Sequence, residues 1–221
     1  MPRWGMVIDL RKCVGCKICA VVCRETHGVP MDGWRRVNDC GVSGPPRRER
    51  LFLPMSCMHC DAPPCLEVCP TTATCRRPDG IVDIREELCV GCGACIVACP
   101  YQARMIMRRE APFPSASREE EMTGKAERDG RGVCTKCSFC VSRLDEGLVR
   151  GLKPGNDLDA SPACVVSCSA GALYFGDLED PESSVSRLIR ENTTARLQEG
   201  LGTEPSIYYL VDGLPHVKSD E

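Results

Sequence analysis

Twelve of the chain's 19 cysteines stand in three dense runs, Cys13-x2-Cys16-x2-Cys19-x3-Cys23, Cys57-x2-Cys60-x4-Cys65-x3-Cys69 and Cys89-x2-Cys92-x2-Cys95-x3-Cys99. The first and third keep a 2-2-3 spacing that suits a 4Fe-4S cube. Three thiolates on one loop and its following helical turn grip three irons, while the fourth cysteine points away toward a second cube. Such runs come in partnered pairs. Structural zinc takes two short Cys pairs separated by a longer spacer to close one tetrahedron. Here four thiols crowd into eleven residues, twice, and a lone Zn2+ would strand the last of each run. Disulfides fit no better, because helical cysteines three or four apart miss the required Cβ geometry.

At 221 residues the chain has room for one or two domains. Aromatic residues make up only 5%, too few for a conventional core of that size, so something else must hold the interior together. The N-terminal Met1-Pro2-Arg3-Trp4-Gly5-Met6 runs straight into a cysteine group without an apolar signal segment or a twin-arginine pair. That pattern predicts metal loading in the cytoplasm, where thiols stay reduced. No stretch approaches 18 consecutive apolar residues, so no direct membrane span is expected. The net charge of −3, with no basic block, argues against nucleic acid as a partner.

The chain also repeats itself. Val7-Ile8-Asp9-Leu10-Arg11-Lys12-Cys13-Val14-Gly15-Cys16 is echoed by Ile81 to Cys92, each reading as a short strand, a turn and a loop whose glycine permits tight wrapping. This is similar to the ferredoxin building block, used more than once. Helical turns are expected over 17–26 and 93–98, and strands over 101–107, 173–175 and 206–211. The predicted class is α+β, with small sheets packed around inorganic cores. Residues 111–132 carry nine charges in 22 positions, and Ser117-Arg118-Glu119-Glu120 fits a capping box, so a short exposed helix is expected there, in a solvated insertion or, as the alternative, a partner-facing arm. Asp180-Pro181 predicts a helix start ahead of Val185, Leu188 and Ile189.

A fourth cysteine group is less regular. Cys134, Cys137 and Cys140 are followed after a gap by Cys164 and Cys168, so five thiols compete for four places. By spacing alone the set is either Cys137, Cys140, Cys164 and Cys168 or one that uses Cys134. Lys136-Cys137-Ser138-Phe139-Cys140 with Pro162-Ala163-Cys164-Val165-Val166-Ser167-Cys168 resembles the last cluster motif in the iron-sulfur subunits of dimethyl-sulfoxide-reductase-type molybdopterin oxidoreductases, most of all the polysulfide, thiosulfate and tetrathionate reductase group. Four cysteine groups in the family's order, His59 inside the second, and the segment from Phe175 to Pro181 extend the resemblance over most of the chain. The chain departs from the family in a longer span from Cys140 to Cys164, in the enlarged arm, and in Ser169 where proline often follows the last cysteine.

The resemblance implies four 4Fe-4S clusters. Cys13, Cys16 and Cys19 would share one with Cys168, and Cys137, Cys140 and Cys164 one with Cys23. Cys57, Cys60 and Cys65 would pair with Cys99, and Cys89, Cys92 and Cys95 with Cys69. One ferredoxin-like lobe would then be built from residues 1–34 and 131–178 and a second from 48–110. Residues 179–221 would add a C-terminal helix and extended tail for subunit docking, with ordinary self-packing as the alternative. Cys40, Cys75 and Cys134 are surplus and read as small hydrophobes. His59 is expected to be half-exposed, its ring donating to a sulfur or carbonyl nearby. Arg11, Arg24 and Arg104 are candidates for raising individual cluster potentials.

Neither Glu25, Glu67 nor the 118–121 run forms a paired-acid or nucleophile constellation, so no catalytic residue is assigned. The implied function is electron transfer between a molybdenum or tungsten bis-pterin catalytic subunit and an integral-membrane quinone-reactive subunit. A cluster-stapled interaction module and a stand-alone iron-sulfur reductase are the competing classes. The expected location is the cytoplasmic face of the membrane, held peripherally. Co-export with a signal-bearing catalytic subunit, to the periplasm, is the alternative.

Overall fold

The structure, a computed structural model, describes residues 1–42, 50–107 and 132–214. Strand β1 (Trp4–Asp9) is buried along its whole length. It pairs antiparallel with β8 (Leu173–Asp177) on one side and parallel with β10 (Ile207–Leu210) on the other, and β9 (Thr194–Ala195) completes the order β8-β1-β10-β9. A strand flanked on both edges and covered on both faces reads as a continuous apolar run, as Trp4-Gly5-Met6-Val7-Ile8 does. Val7 and Leu210 face helix α6 (Ser184–Glu191) through Val185, whereas Met6 and Ile8 face a core shared with Cys19, Cys57, Cys60 and Cys164.

Three two-stranded ribbons carry the rest of the β-structure among the described residues. They are β2 (Arg36–Val42) with β3 (Arg50–Met55), β4 (Thr74–Arg76) with β5 (Val82–Ile84), and β6 (Met105–Met107) with β7 (Val133–Thr135). The helices are α1 (Ile18–His27), α2 (Pro64–Glu67), α3 (Ala94–Val97), α4 (Val141–Val149), α5 (Ala163–Val166) and α6. This is a mixed α+β architecture with small sheets and short helices. Helix α1 packs on α5, and α2 on α3.

Several local expectations shift. The strand expected over 101–107 begins only at Met105, because Gln102 sits at positive φ and its N–H closes a turn on the Cys99 carbonyl. Helix α6 is capped by Ser183, whose Oγ accepts the Ser186 N–H at 3.1 Å, rather than by Asp180. Asp180 instead closes the preceding turn by accepting the Glu182 N–H. The terminal strand forms, with Ile207, Tyr209 and Leu210 fully buried between β1 and β9. The charged arm and its capping box lie outside the described residues, Gly132 excepted.

Candidate metal centres

Helix α1 carries Cys19 and Cys23, while α2, α3 and α5 carry Cys65, Cys95 and Cys164 and are each followed, two residues past their ends, by Cys69, Cys99 and Cys168. On α1 these positions share a helix face about 6 Å apart along the axis, and in each of the other three a single turn and the residues just past it bring one segment to two neighbouring sites. Cys13, Cys16, Cys19 and Cys168 line one cavity. Cys57, Cys60, Cys65 and Cys99 line a second. Cys89, Cys92, Cys95 and Cys69 line a third, together with Cys134. In the fourth place, Cys23 lies within electrostatic reach of Cys137, Cys164 and Cys140. The structure therefore gathers sixteen thiols into four sets, and puts Cys134 with the third set rather than with Cys137 and Cys140. Cys40 is exposed on β2, and Cys75 is half-buried on β4.

The loops that present these thiols share one backbone device. The residue two past the first cysteine of every group has positive φ, Gly15 at 70°, His59 at 45°, Gly91 at 68° and Phe139 at 56°. For His59 and Phe139 this conformation costs roughly 1–2 kcal/mol each. Their rings are buried and stack on each other at 3.7 Å between centroids, which offsets part of that cost. A second shared turn follows the last cysteine. The N–H of Thr72, Gln102 and Gly171 bonds the carbonyl of Cys69, Cys99 and Cys168 respectively. Ser169 thus preserves the turn that Pro70 and Pro100 make elsewhere.

Backbone N–H groups aim at the sulfurs. Thr74 N donates to Cys69 Sγ at 3.4 Å, Ala172 N to Cys168 Sγ at 3.3 Å and Cys134 N to Cys89 Sγ at 3.3 Å. Burial pushes the thiols of Cys60 and Cys140 up to about 12 and that of Cys164 to about 11. Groups so placed ionise only when a cation takes the proton's place. All 19 cysteines are free of disulfides. Among the described residues, no three His, Cys, Asp or Glu side chains converge closely enough to hold a single ion. A tetrahedral zinc site needs its sulfurs about 3.8 Å apart. Thiols spread around the wall of a cavity instead suit a polynuclear iron-sulfur group, so the donor set fits it.

Three buried cations, Arg35, Arg104 and Lys136, stand among the sets, and Lys136 Nζ donates to the Val82 and Cys137 carbonyls. Arg35 is 2% exposed. Its Nη1 donates to Ser56 Oγ and its Nη2 to Met6 Sδ, both at 3.1 Å. Burial alone would pull the guanidinium down, but Cys164, Cys19 and Cys137 hold it charged. Arg104 donates to Cys65 Sγ at 3.0 Å, and to Thr74 Oγ1 and Cys134 Sγ. Of the other two candidate arginines, Arg11 is tied to Asp9 and Arg24 lies beside Glu25 at the surface. His59 is buried rather than half-exposed. Its Nδ1 accepts the Val82 N–H, Nε2 has no partner among the described residues, and burial holds its pKa well below the usual range.

Sequence reasoning missed Arg35, which looks like half of a solvated Arg35-Arg36 pair. It also missed His27, whose Nε2 lies 3.1 Å from Cys140 Sγ.

Comparison with known proteins agrees with this geometry. Residues 48–113 match the family of 4Fe-4S dicluster domains. A Halobacterium salinarum chain, provisionally named as an iron-sulfur subunit of dimethyl sulfoxide reductase, is 39% identical over 95% of this chain and 79% of its own length. A tetrathionate reductase subunit of Salmonella typhimurium is 38% identical, over 94% and 72% respectively. An iron-sulfur subunit of the Hdr-like menaquinol oxidoreductase of Archaeoglobus fulgidus is 35% identical, over 94% and 82%. Identity at that level over nearly the whole chain, added to the thiol-lined cavities, makes this protein a member of the family of iron-sulfur, electron-transfer subunits of dimethyl-sulfoxide-reductase-type molybdopterin oxidoreductases.

Proposed function

We propose that the chain holds four 4Fe-4S clusters in a row and conducts electrons between a molybdopterin catalytic subunit and a membrane quinone-reactive subunit. The ligands would be the four sets above: Cys13, Cys16, Cys19 and Cys168; Cys57, Cys60, Cys65 and Cys99; Cys89, Cys92, Cys95 and Cys69; and Cys137, Cys140, Cys164 and Cys23. Each such cluster supplies one-electron exchange with little rearrangement of its ligands.

The observation that carries the reading is the succession of sets. Cys19 of the first acts on Cys164 of the fourth, and Cys57 of the second acts on Cys137 of the fourth. Arg104 spans the second and third. The order is therefore first, fourth, second, third. Exposure follows the same order. Cys16 and Cys92, in the two outer sets, are exposed, whereas Cys23, Cys57, Cys60, Cys65, Cys140 and Cys164 in the inner sets are buried. A conductor needs that pattern, with its ends open to partners and its middle dry. N–H donors and the buried arginines stabilise negative charge on the sulfurs, and apolar side chains exclude water.

The names of relatives that are menaquinol and tetrathionate oxidoreductase subunits support a quinone-linked and a catalytic partner. Among the described residues no helix is long and apolar enough to cross a membrane, which fits peripheral attachment through such a partner. The test is metal and sulfide analysis with a redox titration followed by electron paramagnetic resonance (EPR). The expected result is about sixteen irons per chain and four one-electron signals. Far fewer irons, with zinc in their place, would overturn the proposal. Co-purification of the neighbouring subunits tests the partners.

A further inference from the structure

Cys134 is the one surplus thiol that lies inside a set. It sits on β7 opposite Ile106 of β6, is 3% exposed, and packs with Cys65, Cys95 and Val82. Its Sγ is 3.4 Å from Cys95 Sγ, and its own N–H bonds Cys89 Sγ. The segment is clamped in place. A Cβ on Gly91 would come within 2.3 Å of the Gly132 carbonyl oxygen, so the strand entering β7 lies against the cysteine loop. Arg104, immediately before β6, reaches Cys65 Sγ with one terminal nitrogen and Cys134 Sγ with the other, at 3.0 and 3.7 Å.

If Cys69, Cys89, Cys92 and Cys95 are the four ligands, as proposed above and as this inference requires, Cys134 is left outside the coordination shell. A ligating Cys95 has no proton, so any proton in the Cys134–Cys95 contact belongs to Cys134. We infer that Cys134 is a positioning residue whose S–H donates to the ligating sulfur of Cys95, while Arg104 links that thiol to Cys65 of the next set. The Arg104 N–H on the Cys134 sulfur polarises the S–H toward Cys95. No proton is transferred and no S–S bond forms. A hydrogen bond to a ligating sulfur favours the more negative, reduced state and so raises that cluster's potential. Cys134 and Arg104 thereby lift the third cluster, one end of the row.

The test is a potentiometric EPR titration of the full chain carrying its clusters, as wild type, Cys134→Ala, Cys134→Ser and Cys92→Ala. Cys92→Ala should remove one signal and so identify the third cluster. If it removes none, the ligand assignment has failed, independently of Cys134. In Cys134→Ala that same signal should titrate at a more negative potential, with iron per chain and the other signals unchanged. Cys134→Ser, which restores a donor, should bring it back toward wild type. An unchanged or more positive potential in Cys134→Ala overturns the inference. So does loss of one cluster's iron in both Cys134 variants, since Cys134 would then be a ligand.

Discussion

At the scale of single residues, Arg35 shows how a charge becomes part of an interior. Its guanidinium is buried between thiols of the first and fourth sets, and its Nε has no partner among the described residues. Such a group is tolerable only beside negative charge. Arg35→Met should therefore cost about 3–5 kcal/mol of stability and shift the potentials of the two flanking clusters to more negative values. Denaturant unfolding and redox titration of the holo-protein measure both effects. Unchanged potentials would refute the role. Nothing in Trp34-Arg35-Arg36 signals this burial, because adjacent arginines ordinarily mark a solvated surface. The cysteines were far more legible. Their spacing limits which sulfurs can share a loop and which must point away, although only the fold shows Cys134 beside Cys95.

At the scale of elements, the four cysteine loops are variations on one turn. Gly15 and Gly91 adopt left-handed conformations, with no room for a side chain. A Cβ at Gly15 would meet the Phe52 ring at 2.4 Å, and one at Gly91 the Gly132 carbonyl. Gly15→Ala should weaken the first site and Gly91→Ala the third, each by about 1–3 kcal/mol. The readout is iron content, with about four irons lost per variant. Full iron retention in both would contradict the shared-turn account. The glycine repeat was readable in the sequence. The same turn at His59 and Phe139 was not, since neither residue type favours it and their stacking joins segments 80 residues apart. The β2–β3 ribbon also escaped, because Arg36-Val37-Asn38-Asp39-Cys40-Gly41-Val42 lacks a clear alternation of apolar and polar positions.

At the scale of the whole molecule, the thin organic core and the thiol sets are one construction. Buried cysteines lie among Met6, Ile8, Phe139 and Tyr209, and β10 closes the main sheet from the far end of the chain. The low aromatic content anticipated a core held by something other than rings, but the long-range closure by β10 had no local signal. Exposure of Cys16 and Cys92 at opposite ends has a further consequence. Peroxide and dioxygen reach the outermost sulfurs before the inner ones, so corrosion should advance from both tips toward the centre. Limited aeration of the holo-protein should yield material with about half its iron, retaining the two interior EPR signals after the two outer ones have bleached. Simultaneous bleaching of all four would mean that oxidants enter somewhere other than the tips.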